Sequence, residues 1–194
     1  MNILVERGRP ADCAGRIENE VRSYDFLDGL HIDFMRADHP VAFDMETCDA
    51  VGAALDTHIC KNLFLCNRQE TSFFLLMMPG DKKFKTKDIS AQIGSARLSF
   101  ANEMHMKDFL DLTPGSVSVL GLMNDCERQV KLLVDRDLLV GQDSTIGIHP
   151  CINTSTVRVS VPDLTEKIIP ALGHKPTVVD LPRYVGEILH TFEM

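Results

Sequence analysis

The chain has 194 residues, 44% of them hydrophobic and 25% charged, with 28 acidic against 20 basic side chains and a net charge of −8. That length and balance describe one globular domain able to bury a core, and they exclude a disordered or low-complexity chain. The acidic surplus argues against a general grip on duplex nucleic acid, which wants a basic face. No run of about 18 apolar residues occurs, so no membrane span is predicted. The first seven residues lack the apolar region of a signal peptide. Six cysteines (Cys13, Cys48, Cys60, Cys66, Cys126 and Cys151) are scattered without a CxxC pair, so the expectation is a reduced, cytoplasmic protein with free thiols.

Residues 1–15 show no clear period and read as an extension. Ile17, Val21, Tyr24 and Leu27 form one stripe, which predicts an amphipathic helix ended near Gly29. His31–Arg36 alternates like a strand until His39-Pro40 breaks it. Asp44 can cap a helix continuing from Thr47 to Leu55. Cys60–Cys66 and Phe73–Met78 are two short apolar runs across a polar turn, the pattern of a β-hairpin. Lys61 and Asn62 stand where the first of these strands enters the sheet, a rigid place from which to aim an ammonium.

Lys87 to Ile93 predicts a short helix closed by Gly94, and Arg97–Ala101 a brief strand. Asn102 caps a helix through Leu110. Thr113-Pro114-Gly115 is a turn, and Val117 to Met123 reads as a buried strand. Val130–Val134, 145–148 and 154–161 read as further strands. Pro162 suits the first turn of a helix through Leu172, stopped by Gly173. Thr177–Val179 is a last strand, and the final dozen residues read as a loose helix. Helices and strands interleave irregularly and several strands are hairpin-linked. The expected fold class is therefore α+β, with a mixed, mostly antiparallel sheet and surrounding helices. The expected organisation is one domain over 16–181, with an extension at 1–15 and a tail at 182–194.

Many common chemistries are missing from the sequence. There is no GxSxG elbow, no P-loop and no GxGxxG. HExxH is absent, and the seven histidines lack ligand spacing, so neither metal nor other cofactor is expected. Three polar, glycine-bearing stretches remain: Thr113–Ser118, Gly121–Asp125 and Gly147–Thr154. Glycine there allows close backbone approach, though each stretch also reads as an ordinary turn. Lys82, Lys83, Lys85 and Lys87 make one local basic run, either a solvated turn or a contact for a few phosphates.

Lys61-Asn62-Leu63-Phe64-Leu65, Pro79-Gly80-Asp81-Lys82, Arg97–Ala101, Thr113–Val117, Gly121–Asp125 and Gly147–Pro150 occur in an order and spacing that resemble the YbaK/ProRS-insertion family of aminoacyl-tRNA deacylases. Within it they are most similar to the free-standing Ala-tRNA(Pro) deacylase (PrdX-like) branch. The resemblance spans roughly residues 17–181 and rests on six segments. It implies a trans-editing enzyme that hydrolyses the ester of mischarged proline tRNA, with the tRNA acceptor end as partner. A homodimer or an association with prolyl-tRNA synthetase also belongs to that expectation. The family's essential lysine falls on Lys61, beside Asn62, and its pocket histidine on His149. Its GxxxP loop begins at Gly115, with Val119 where the pattern has proline. Gly115, Ser116, Val119, Asn124, Gly147, His149 and Asn153 are the implied substrate-binding residues, and Lys82, Lys83 and Lys85 the implied tRNA contacts. Cys-tRNA(Pro), another small aminoacyl-tRNA, and a non-catalytic binding module with the same fold remain alternatives.

Overall fold

The computed structural model describes residues 2–42, 44–140 and 144–184. The nine described strands are β1 (Leu4–Arg7), β2 (Met35–Asp38), β3 (His58–Asn67), β4 (Phe73–Pro79), β5 (Leu98–Phe100), β6 (Val130–Asp135), β7 (Thr145–Ile148), β8 (Ser155–Ser160) and β9 (Thr177–Val179). They form one sheet in the order β1-β2-β8-β7-β3-β4-β6-β9, with β5 pairing β3. The β1/β2, β2/β8, β7/β8, β3/β4 and β3/β5 pairs are antiparallel. The β3/β7, β4/β6 and β6/β9 pairs are parallel. This is the mixed, mostly antiparallel α+β arrangement expected.

β4 lies inside the sheet and is buried along its length. Phe73, Leu75 and Met77 enter the main core, while Phe74, Leu76 and Met78 enter a second one on the opposite face. Burial on both faces explains why its sequence is a continuous apolar run instead of an alternating one. The main core packs Tyr24 and Leu27 of α1 (Glu18–Gly29) and Leu110 of α4 (Glu103–Leu110) against it. The second packs Ile89 of α3 (Thr86–Ser90). A third, smaller cluster places Val51 and Leu55 of α2 (Met45–Leu55) over Ala37. Asp44 and Asn102 cap α2 and α4 as expected, accepting from the Thr47 and His105 N–H groups.

Four local readings differ from the structure. Residues 4–7 are not loose but pair with β2, and Arg7 reaches Asp33 with a two-pronged ion pair. The second strand starts at Met35, not His31: His31 has φ +53° and the Ile32 N–H still donates to the Leu27 carbonyl, so the chain is still turning off α1. Val117–Met123 is not a strand; Val119–Asn124 is a 3-10 helix. The Ser118 side chain caps it, accepting from the Leu120 N–H. Gly121 lets it press on Leu112, whose Cδ1 would lie 2.6 Å from an added Cβ. The helical stretch from Val161 to Ala171 contains a π turn at Leu164–Ile168. That turn sits just before Pro170, which has no N–H for the helical ladder. The expected loose helix at the C-terminus lies, from residue 185 on, outside the described residues. The six cysteines are free thiols.

Candidate active site

One edge of β3 is interrupted. Its N-terminal end pairs β7, up to Ile59↔Gly147. Its C-terminal end pairs β5 from Leu65↔Phe100 onward, and the Phe64 carbonyl accepts from Ala101. Between these two partners, no described strand pairs this edge at residues 60–63. Main-chain groups two residues apart share an edge of a strand. The Asn62 N–H and C=O therefore face the same edge as the Phe64 carbonyl, into the opening.

Side chains alternate across the strand. Lys61 pairs Met78 in register and shares the face of Met78 and Leu65. Asn62 pairs Met77 and points to the opposite, main-core face. There its Nδ2 lies 3.5 Å from the Cys60 Sγ, and its buried Oδ1 has no hydrogen-bond partner. The two adjacent residues expected to act together thus present their side chains on opposite faces. What Asn62 offers to the opening is its main chain, in the plane of the sheet.

The Lys61 ammonium is half-buried and donates to the Lys82 carbonyl at 3.3 Å. Burial pushes its pKa below the usual lysine value, against the pull of Asp81. His149 follows β7. The β3/β7 pairing ends at Ile59↔Gly147, and His149 lies two residues past it, against His39, Ser155 and Thr156. Gly147 makes the approach of these strands close: an added Cβ would meet the Ile59 Cδ1 at 2.4 Å.

The His149 imidazole is fixed in one tautomer. A carbonyl can only accept, so Nδ1–H donates to the Ser155 carbonyl at 3.0 Å, and Nε2 carries the lone pair. Burial lowers its pKa, and the neighbouring His39 lowers it further. His39 is held likewise. Its Nδ1–H donates to the Pro40 carbonyl at 2.8 Å and its Nε2 accepts from the Thr156 hydroxyl at 2.9 Å. The two rings stand 6.4 Å apart, and burial pushes the pKa of His39 down as well.

The Gly115 loop joins this site through one hydroxyl. Ser118, fully buried, donates its Oγ–H to the His149 carbonyl while capping the 3-10 helix. Gly115 has φ +86°, a left-handed conformation that suits glycine. Ser116 closes the turn by donating to the Thr113 carbonyl at 2.8 Å. Val119 is the first residue of the 3-10 helix and is wholly buried. That is a position where proline fits because no N–H is needed there, and valine occupies it without altering the cap.

Other expected residues lie elsewhere in the architecture. Asn124 is a brace: Nδ2 donates to the Leu110 carbonyl and Oδ1 accepts from Arg22. Asn153 accepts from the Ala42 N–H through its carbonyl, in the loop before β8. Lys82 corrects the expectation of a phosphate contact. Its side chain is 2% exposed and its ammonium donates to both Asp135 carboxylate oxygens, at 3.0 and 2.9 Å, and to the Leu181 carbonyl at 2.8 Å. Lys83 is exposed, and the Lys85 ammonium sits 3.5 Å over the Tyr184 ring. His39, Ser118 and Thr156 were not singled out from the sequence. Ser118 lay within the expected loop, but nothing local marks a serine as a bridge to a residue 31 positions on.

Among the described residues no cluster of three or more His, Cys, Asp or Glu could hold a metal, and no helix is long and apolar enough to cross a membrane. The candidate site is thus a half-buried cation on β3 and a neutral imidazole just past the end of β7, the strand that pairs the start of β3. The aminoacyl-tRNA editing domain model matches residues 39–167. Over 155 residues the chain is 34% identical to the prolyl-tRNA editing protein ProX of Acetoanaerobium sticklandii, covering 80% of this chain and 93% of that one. It is 28% identical to the prolyl-tRNA synthetase associated domain-containing protein 1 of Danio rerio, covering 80% and 83%. A crystal structure described as a proposed trans-editing enzyme for prolyl tRNA synthetase superposes with a TM-score of 0.62 at 13% identity, over 86% of this chain and 99% of that one. The last likeness speaks for the fold alone. The chain belongs to the aminoacyl-tRNA editing domain family.

Proposed function

We propose that this protein is a trans-acting deacylase that hydrolyses the ester of mischarged proline tRNA, with alanine as the amino acid removed. The observation that carries the reading is the half-buried Lys61 ammonium on β3, in a stretch of that strand whose edge neither β5 nor β7 pairs. Ester hydrolysis needs a water for attack and a stabilised oxyanion. The Lys61 ammonium supplies charge to the carbonyl oxygen or to the neighbouring phosphate, and the Asn62 main-chain N–H is a second donor facing the opening. The carboxylate that acts on Lys61, Asp81, is itself paired to Arg183, so in this reading the ribose hydroxyl or main chain orients the water. The bond to the terminal ribose oxygen breaks, leaving free amino acid and tRNA.

His149, neutral and with Nδ1 committed to Ser155, is in this reading a wall of the amino-acid pocket. Exclusion by size then selects alanine over proline. Lys83 and Lys85 are the proposed contacts to acceptor-end phosphates, and residues 16–181 the catalytic unit. Action after mischarging fits an association with prolyl-tRNA synthetase. The test is hydrolysis of proline tRNA charged separately with Ala, Cys, Pro and Ser. Fastest loss of alanine with proline retained supports the proposal. Faster loss of cysteine shifts the substrate to Cys-tRNA(Pro), and hydrolysis of none refutes the enzyme in favour of a binding module.

A further inference from the structure

An open groove of about 700 Å³ lies away from the open β3 edge, between the hairpin end of β3/β4, the 92–96 loop and the segment leading to β9. Every charged side chain lining it is a cation or a histidine: Arg128, Lys131, Lys175 and His174. In a chain of net charge −8, a lining without one carboxylate is a local reversal of sign. Many of the chain's other cations are spent on ion pairs, Arg7, Arg16, Arg36, Lys82, Lys107, Arg136 and Lys167 among them. Arg128, Lys131 and Lys175 enter no ion pair among the described residues.

The groove is also built. Arg128 holds φ +55°, an uncommon conformation for a residue with a side chain. Its guanidinium lies against the bare α-carbon of Gly173, φ +75°; an added Cβ there would meet Nε and Nη2 at 2.8 Å. Glycine at 173 thus makes room for a positioned guanidinium. His174 beside it is 9% exposed, and its Nε2 has no hydrogen-bond partner, the nearest carboxylate oxygen, on Asp125, standing 3.7 Å away. Lys131 extends its ammonium over the Phe74 ring, 5.5 Å from the centroid.

We infer that this groove binds the phosphodiester backbone of an RNA, as a second contact for the tRNA whose acceptor end is read at Lys61; the inference rests on the deacylase reading. The cations are set out on two segments of the lining, 128–131 and 174–175, an arrangement that matches phosphates spaced along a strand better than a single small anion. Position agrees. Lys131 is level with Phe74 and Lys61 with Met78, and Phe74 and Met78 share a face. Four residues along β4 and two strand spacings put the two lysines about 16 Å apart on the same face of the sheet.

The test measures binding of uncharged proline tRNA across a salt series, for the wild type and for Arg128→Gln/Lys131→Gln/Lys175→Gln. Each lost phosphate contact weakens binding roughly 5-fold at about 0.15 M salt, so Kd should rise on the order of 100-fold and the salt slope fall by about 2 to 3. An unchanged Kd and slope overturn the inference. Because Arg128 holds a special backbone conformation, the exposed pair Lys131→Gln/Lys175→Gln is measured too, with a slope change of about 2 expected and no change overturning it. Binding of uncharged tRNA does not depend on hydrolysis. A wild type that binds through the groove yet hydrolyses no charged tRNA sinks the deacylase reading, not the groove. Normal hydrolysis with normal binding by the triple variant sinks the groove alone.

Discussion

Replacing Lys82 with methionine distinguishes a structural lysine from an RNA contact. Methionine keeps most of the side-chain volume and removes the ammonium. That ammonium makes three donations, two to Asp135 and one to the Leu181 carbonyl, and it also lies 3.0 Å from Asp137. Asp135 is 0% exposed, so the variant leaves a carboxylate in the interior with, among the described residues, the Asp137 N–H still donating to it. Removing one partner of a buried pair costs about 3–5 kcal/mol, mostly as the penalty of the stranded charge. With a urea m-value of about 2 kcal/mol/M, the unfolding midpoint should fall by about 1.5–2.5 M. Asp135→Asn in the same background removes the stranded charge, so the double variant should be more stable than the sum of the single losses predicts, by about 1–3 kcal/mol. The assay is urea unfolding of the wild type and the three variants at neutral pH, with tRNA binding measured on the folded protein. A Lys82→Met protein of wild-type midpoint that binds tRNA less tightly would refute the reasoning and return Lys82 to the RNA surface.

Lys61→Ala should stay folded and lose on the order of 100-fold or more in deacylation, read as kcat/KM on alanyl proline tRNA; normal turnover would remove Lys61 from the mechanism. His149→Ala should relax the preference for alanine over proline more than it slows alanine release. A loss of several orders of magnitude at an unchanged ratio would make His149 a catalyst. By NMR, His149 should titrate below the ordinary histidine value of about 6.5, because burial and His39 oppose its protonation, and His39→Ala should move it upward. The native state then binds fewer protons than the unfolded chain just below pH 6.5, so the contribution of His149 to stability is whole above about 6.5 and lost as pH falls through its folded value. A midpoint at or above 6.5 would contradict the neutral-wall assignment.

The hairpin was legible in the sequence because two apolar runs flanked a polar turn, and the caps at Asp44 and Asn102 because their chemistry is local. The 3-10 helix at Val119–Asn124 was not. Its apolar residues match a buried strand equally well, and what decides the matter is the Ser118 cap and the fit of Gly121 against Leu112. β1 was missed because a four-residue edge strand carries almost no periodic signal; it is held by pairing to β2, a property of the sheet. At the site, family spacing pointed to Lys61 and His149. It could not show that strand alternation turns the Asn62 side chain away from Lys61. Nor could it show that Lys82, one of a run of lysines, bends inward to Asp135, because that depends on an acid 53 positions later.

One departure from the family pattern, at Val119 in the Gly115 loop, need not change the proposed pocket. A proline at position 119 would pre-set the backbone at the first helical residue, lowering the entropy lost on folding. Valine gives up that preorganisation but keeps an apolar side chain, which is fully buried in the main core. What holds the loop against the site is then the Ser118 hydroxyl, which caps the helix and donates to the His149 carbonyl. His149 is in turn fixed by Ser155, so the loop, the histidine and β8 form one hydrogen-bonded chain. In the proposed pocket the dimension that separates alanine from proline is set by main-chain positions along that chain. A single missing methylene is worth only about 1–3 kcal/mol, and a wall free to shift by a fraction of an ångström would forfeit much of that. With valine at 119, the rigidity the selection requires rests on Ser118.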